Sequence, residues 1–326
     1  MRFFWVILIF LFSMCDLFAQ SNVLMSQYFQ NMPAFAPGLT GANDYLDLRT
    51  GYRQQWVGFE GAPKTFFLSG YGMRRTKSNP YKLNSARVSN ITPYEKSGVK
   101  IGLGGYILFD ELGAFRQWDA MSNIAVHVPI RQKTYVSLGI SSGVNKSEID
   151  FSKLYTMDPN DTRYESFLNN GPNNLYLKIN SGIAVYSPKF YISYAAMHLV
   201  NSLISGNEPV NHSKPVKQHN ILGGYRVSLS RGIELIPNGY VKYTKGLPIL
   251  IDAGTRIRFE QNLYAGLSYR NDNSVIGMAG CTFDDRFKIG YSYEYKFLNY
   301  RGFNSNSHEV VIGVQLFNHN KYTALW

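Results

Sequence analysis

Gly139-Ile140-Ser141-Ser142-Gly143 has the Gly-x-Ser-x-Gly spacing of a nucleophile elbow. That chemistry needs a sharp strand-to-helix turn that presents the serine. Here the motif sits inside an alternating run and leads into polar Asn145, Lys146 and Ser147, with no amphipathic helix, so it reads as coincidence. Gly102, Gly104 and Gly105 imitate a phosphate loop, but no Lys-Ser pair follows. Glycines on a strand more often mark a kink or the close approach of another backbone. The six histidines (His127, His198, His212, His219, His308 and His319) show no metal-ligand spacing, and no cofactor is expected. Asp110 and Glu111 are adjacent carboxylates read as solvated turn residues rather than an acid/base couple. Cys281, the one cysteine beyond residue 19, lies between Gly280 and Thr282 in an alternating run and reads as a small wall residue. No motif here supports an enzyme.

The segment 52–63 differs. Tyr52, Arg53, Gln54, Gln55 and Trp56 run into Val57, Gly58, Phe59, Glu60, Gly61, Ala62 and Pro63. Arg53 and Gln55 share strand parity, and an arginine so placed could grip a carboxylate bidentately. The alternative is an interfacial tryptophan before a hairpin loop. The residues alone leave the two readings even.

These residues need elements to hold them, and the pattern of the chain supplies one kind. In 289–297, Ile289, Tyr291, Tyr293, Tyr295 and Phe297 oppose Gly290, Ser292, Glu294 and Lys296. Side chains of a strand alternate between its two faces, so this stretch has an aromatic face and a polar face. Fourteen such strands are expected, near 45–56, 66–75, 97–109, 117–128, 134–144, 174–187, 189–199, 218–229, 232–244, 248–259, 262–271, 273–283, 286–298 and 308–317. A soluble sandwich also alternates. Strands of about ten residues, tight turns and charges on the polar face instead favour a wet lumen inside a membrane wall. In lipid such strands must close on themselves. The expected fold is therefore an all-β transmembrane antiparallel barrel with periplasmic termini. Segments 145–173, 200–217 and 299–307 would lie outside, and short turns at 188, 230, 260 and 284 inside. The long connection 76–96 fits this scheme poorly.

Residues 1–19 have the charged start, apolar core and Leu17-Phe18-Ala19 ending of a cleaved signal peptide, and Met14 is too large for a lipoprotein site at Cys15. Residues 20–43 then form a periplasmic or plug segment and 44–326 the barrel. The net charge of +11 is scattered and carries no nucleic-acid motif. Acidic lipid headgroups or an acidic lumenal partner explain it more simply. Charged residues make up 17% and aromatics 15%, as a barrel with aromatic girdles requires.

"YRQQWVGFEGAPKT" (52–65), preceded by "SQYFQNMPAFAPGLTG" (26–41), resembles the start of PorP/SprF outer-membrane proteins of Bacteroidota. "GLGGYILFDELGAF" (102–115), "YISYAAMHLVN" (191–201), "GLSYRNDNSVIGMAG" (266–280), "IGYSYEYKF" (289–297) and "SHEVVIGV" (307–314) agree in order. The sequence departs at Ala36-Pro37-Gly38, where the family usually carries Asn-Pro-Ala, and in the length of 76–96. The resemblance implies a component of the type IX secretion and gliding machinery. Such a protein supports export or surface anchoring of a large, adhesin-like cargo with a C-terminal sorting domain. It also contacts periplasmic secretion components or a peptidoglycan-linked lipoprotein, and sits among outer-membrane lipid and lipopolysaccharide.

A lumen lined by Arg53, Lys242, Arg256, Arg258, Arg270, Lys288 and Glu294 could then hold an acidic cargo segment. Gln55, Trp56, Gly58, Gly61, Pro63, His308 and Glu309 complete the candidate partner contacts. The rival readings are a passive porin with an anion-favouring lumen and, more remotely, a hydrolase using Ser141.

Overall fold

The computed structural model describes residues 25–75, 98–131, 133–153, 173–206, 216–260, 262–284, 286–297 and 306–318. The connection 76–96 and Trp326 lie outside them. Fifteen strand segments form one antiparallel sheet, and a pairing of Ile233–Thr244 with Leu250–Phe259 closes it into a ring. Two of those segments, Gln218–Tyr225 and Val227–Ser230, are one strand interrupted at Arg226, so the barrel has fourteen.

In chain order the strands are β1 (Leu46–Gln54), β2 (Lys64–Arg75), β3 (Lys100–Leu112), β4 (Phe115–Arg131), β5 (Thr134–Ile149), β6 (Asn174–Tyr186) and β7 (Phe190–Ser205). They continue as β8 (Gln218–Ser230, interrupted), β9 (Ile233–Thr244), β10 (Leu250–Phe259), β11 (Leu263–Arg270), β12 (Ser274–Phe283), β13 (Phe287–Lys296) and β14 (Ser307–Leu316). β14 pairs back onto β1, with Leu46 opposite Leu316.

The outward parity carries Ile124, Val126, Val128, Leu138, Ile140, Ile251 and Leu267, all exposed. So are Ile289, Tyr291, Tyr293, Tyr295 and Phe297, while Ser292 and Glu294 are buried inside. A continuous apolar belt of this extent would be a severe liability in water but matches hydrocarbon, which removes the sandwich alternative.

The strand count agrees with the sequence pattern, but several strands are longer than expected. β5 runs to Ile149 and β7 to Ser205, so the expected outer segments 145–173 and 200–217 begin as wall. β3 runs to Leu112, which overturns the reading of Asp110 as a solvated turn residue. It is buried in the lumen and accepts a 2.6 Å hydrogen bond from the Thr65 hydroxyl. The polar lumen lets strands keep pairing past the apolar belt, so hydrophobic alternation alone ends them early.

One end of the barrel carries the long connections, Ile149 to Asn174, Ser205 to Gln218 and Lys296 to Ser307. The other carries turns such as Ser187–Lys189 and Arg231–Gly232. Long loops face outward and short turns the periplasm in outer-membrane barrels. The interior is filled by residues 25–45, which form a 3-10 turn (Tyr28–Asn31), a helical turn (Met32–Phe35) and a second 3-10 turn (Pro37–Leu39). Met25, Tyr28, Met32, Ala36, Leu39 and Ala42 are buried among wall residues such as Tyr240, Leu222 and Ile276.

The wall carries its own buried ion pair. Lys178 Nζ lies 2.7 Å from Asp119 Oδ1, which also accepts a 2.9 Å bond from the Asn145 amide. Breaking such a pair leaves an uncompensated charge, at about 3–5 kcal/mol. We expect Asp119→Ala to lower the urea midpoint of the folded barrel in vesicles, and Asp119→Ala combined with Lys178→Met to recover much of it. Equal midpoints for the single variant and the parent would refute the pairing.

Candidate functional site: a plugged lumen

Within the described residues the plug begins near the outer end, at Met25, and descends. Its first residues meet a charged latch built from five strands. Arg53, on β1 and 2% exposed, donates to Ser26 Oγ, to Glu294 Oε2 at 3.0 Å and to Glu309 Oε2 at 3.4 Å. Arg270 donates to Glu294 Oε2 at 2.9 Å, to Asp252 Oδ2 at 3.0 and 3.1 Å, and to the Met25 carbonyl at 3.3 Å. Glu309 spends its two oxygens on the backbone N–H groups of Ser26 and Gln27, at 2.7 and 2.8 Å. Those groups open the first 3-10 turn, where a carboxylate satisfies donors that the turn itself cannot. Two guanidiniums thus face three carboxylates, and charge-assisted bonds hold the segment in a site closed to bulk water.

Further down, short turns satisfy part of the plug's backbone, and its other buried carbonyls need donors. The wall supplies them. Asn123 donates to Pro33 O at 3.1 Å, Asn220 to Phe35 O at 2.9 Å and Ser137 Oγ to Gly38 O at 2.6 Å. His127 Nε2 lies 2.8 Å from Thr40 O. A carbonyl only accepts, so Nε2 carries the proton and Nδ1 accepts from the Tyr186 hydroxyl at 2.9 Å. Lys100 pairs with Asp44 at 2.7 Å where the segment turns into β1.

The glycines that imitate catalytic loops serve this contact. A Cβ on Gly102 would sit 1.9 Å from Thr40 O, and one on Gly139 would sit 2.2 Å from Pro37 O. Ser141 is buried in mid-strand, with the Asn180 amide 3.5 Å away, and no elbow forms.

Of the expected lumen residues, Arg53, Lys242, Arg256, Arg270 and Glu294 are buried inside, and Arg258 and Lys288 are half-buried there. Arg256 lies over the Phe29 ring, 3.6 Å from its centroid. Arg258 pairs with Glu234. The lumen therefore holds a segment of its own chain. Asp252, Ser268, Asn123, Ser137, His127 and Asn220 escape sequence reading, although each has lumen parity. Their signal was a polar residue facing inward on an otherwise well-alternating strand.

The 52–63 run divides between two places. Arg53 belongs to the latch, whereas Gln55 onward forms the β1–β2 loop. There the Gln55 N–H reaches Pro63 O at 2.9 Å, and Trp56, Gly58 and Gly61 take positive φ. Trp56 is exposed, Pro63 buried, and Gly61 O accepts from the Gly113 N–H at 2.9 Å. A cleft of about 310 Å³ opens here among Phe59, Glu60, Lys64, Glu111 and Lys153. Asp150 on the same rim is held below the usual carboxylate range, first by the Ser152 hydroxyl. His308 faces the outer wall, where its Nδ1 meets the Tyr291 hydroxyl at 2.6 Å beside Tyr293. His219 is placed alike between Tyr194 and Tyr243. Both histidines are girdle residues.

A closed barrel with an apolar belt, aromatic girdles and a plugged polar lumen defines an outer-membrane β-barrel protein. The family model described as "Type IX secretion system membrane protein PorP/SprF" matches residues 17–314, and the chain belongs to that family. No curated protein matches.

Among solved structures, the CymD monoaromatic hydrocarbon channel is similar at 12% identity and a TM-score of 0.47, covering 90% of this chain and 92% of its own. The Pseudomonas putida toluene transporter TodX is similar at 9% identity and 0.46, covering 94% and 95%. Omp33 of Acinetobacter baumannii is similar at 6% and 0.42, covering 85% and 99%. These likenesses carry no functional argument.

Proposed function

We propose that this barrel is a non-enzymatic platform for export or surface anchoring of a large cargo protein with a C-terminal sorting domain. On this reading it also contacts periplasmic parts of the secretion machine, and a signal peptide ending at Ala19 delivers it. Family membership supports the setting. The observation that carries the platform over the passive porin is the latch: Arg53 and Arg270 spend their charge on Glu294, Glu309 and Asp252 around the plug's own first residues. Charges committed in this way offer little to anions in transit.

The test is purification of the tagged protein from its native outer membrane in mild detergent, with mass spectrometry of co-purifying proteins. The expected companions are one very large secreted protein with a C-terminal sorting domain, or periplasmic machine components. A partner-free barrel with stable anion-selective conductance would overturn the reading in favour of the porin.

A further inference from the structure

The latch at the outer end holds more carboxylates than guanidiniums, whereas cations outnumber carboxylates at the periplasmic end. Towards the short turns, Arg49, Arg226, Arg256, Arg258 and Lys288 face the interior, Arg49 and Arg256 against the plug residues Gln30 and Phe29. The carboxylates among them are Asp47 and Glu234. Arg49 is 2.8 Å from Asp47, while Arg258 and Arg226 share Glu234, the latter at 3.9 Å. Lys288 has no ion pair among the described residues and lies within electrostatic reach of Arg49 and of its partner Asp47, then of Arg258 and Arg256.

The register explains part of this crowding. Gly313 on β14 pairs with Arg49 on one side and Lys288 on the other. A Cβ there would lie 3.4 Å from Arg49 Cγ and 3.6 Å from Lys288 Cβ, so the two cations flank a position without a side chain. The surrounding turns add exposed Lys133, Lys189, Arg231 and Arg286, against Glu260 and Asp284.

We propose that this periplasmic mouth binds an acidic polypeptide segment. Like charges gathered in a half-enclosed recess repel one another, and an incoming carboxylate relieves that repulsion. Arg226 and Arg258 are wet enough to be reached, each with a side chain 14% exposed, and Lys288 is only half-buried, whereas Arg256 is covered by Phe29. The cations are also spread along the inner wall from β8 to β13. At roughly 4.8 Å per strand that span is about 24 Å, the length of an extended peptide rather than of one small anion. They point inward, so membrane lipid does not face them. The proposal rests on the platform reading only in placing the occupant in the periplasm. It is read in purified protein, whereas the platform reading is tested on native membranes, so either can fail alone.

The experiment titrates the full-length barrel in detergent with a fluorescent oligoglutamate peptide, with oligoglutamine as the neutral probe. The expected result is salt-sensitive binding of oligoglutamate alone, weakened about tenfold by Lys288→Gln with Arg226→Gln, two partly exposed cations. Lys64→Gln with Lys217→Gln, at the opposite end, leaves it unchanged. Retained heat-modifiable migration on electrophoresis certifies each variant as folded, and Lys288→Gln alone serves if the pair does not assemble. Unchanged oligoglutamate binding in the Lys288 variants would overturn the proposal. So would displacement of the peptide by inorganic phosphate at equal concentration, which reassigns the site to a small anion.

Discussion

Arg53→Ala releases the N-terminal segment and turns a silent barrel into a conducting one. Arg53 touches Ser26, Glu294 and Glu309 together. Its loss leaves three buried carboxylates with one guanidinium, Arg270, which reaches Glu294 and Asp252 but not Glu309. Stranding buried charge in this way takes about 3–5 kcal/mol from the docked state. The least expensive relief is to let water in by undocking Ser26 and Gln27, since the strands are tied to each other by full backbone ladders and the plug is not.

Three readouts follow. In planar bilayers the parent stays closed and Arg53→Ala shows stable steps. Chymotrypsin gains access to Tyr28, Phe29 and Phe35, which are buried in the parent. Migration of the unheated barrel on electrophoresis does not change. Glu309→Gln, which weakens the same latch without removing a cation, should conduct less often. An Arg53→Ala barrel that stays silent and protease-resistant would mean that the latch does not hold the plug.

Much of this fold was legible in the chain, and the reason is local. Alternation in 249–259 and 263–270 follows from the pleat, and one lipid face makes a register slip too unfavourable to survive. The candidate site was half legible. Arg53, Arg270 and Glu294 stood out as charges at inward parity, but nothing local says that they meet. Their contact depends on β1 closing against β14, a pairing between opposite ends of the sequence.

The plug was less legible still. "SQYFQNMPAFAPGLTG" has no period, because it folds as short separate turns whose leftover carbonyls take donors from Asn123, Ser137, Asn220 and His127 on the wall. A periodicity argument has little purchase on a segment of short, irregular turns whose remaining carbonyls are satisfied by the wall. The glycines held the missing information. Gly102 and Gly139 read as faint catalytic motifs, and the physical alternative, another backbone lying against the strand, is what the lumen contains.

That close approach gives the second large effect, at the other end of the plug. Gly139→Ala places a methyl group 2.2 Å from Pro37 O and 2.4 Å from Pro37 C, with Gly38 N at 2.6 Å. All three atoms are backbone, so no side chain can rotate away, and the plug must lift off β5 or the strand must bend. Overpacking of this kind takes about 1–3 kcal/mol. Lifting also breaks the Ser137–Gly38 bond beside it. Gly102→Ala should act alike through Thr40 and the His127 contact. Gly277→Ala on β12 is the contrast, because the nearest atom, Leu267 Cδ2, is 3.9 Å away and the wall should accept the methyl group without change.

Chymotrypsin cleavage and thermal midpoints of the three variants decide between a steric and a merely compositional role. Protection of Gly139→Ala and Gly277→Ala to the same degree would discard the steric one. The informative variant combines both ends. If residues 25–45 dock as a unit, Arg53→Ala already forfeits the contacts that Gly139→Ala disturbs, and the double variant loses less than the two singles together. If the ends dock independently, the losses add. The first outcome makes the latch a switch for the whole lumen, since whatever undoes Arg53 at the outer end also frees Gly38 and Thr40 at the periplasmic one.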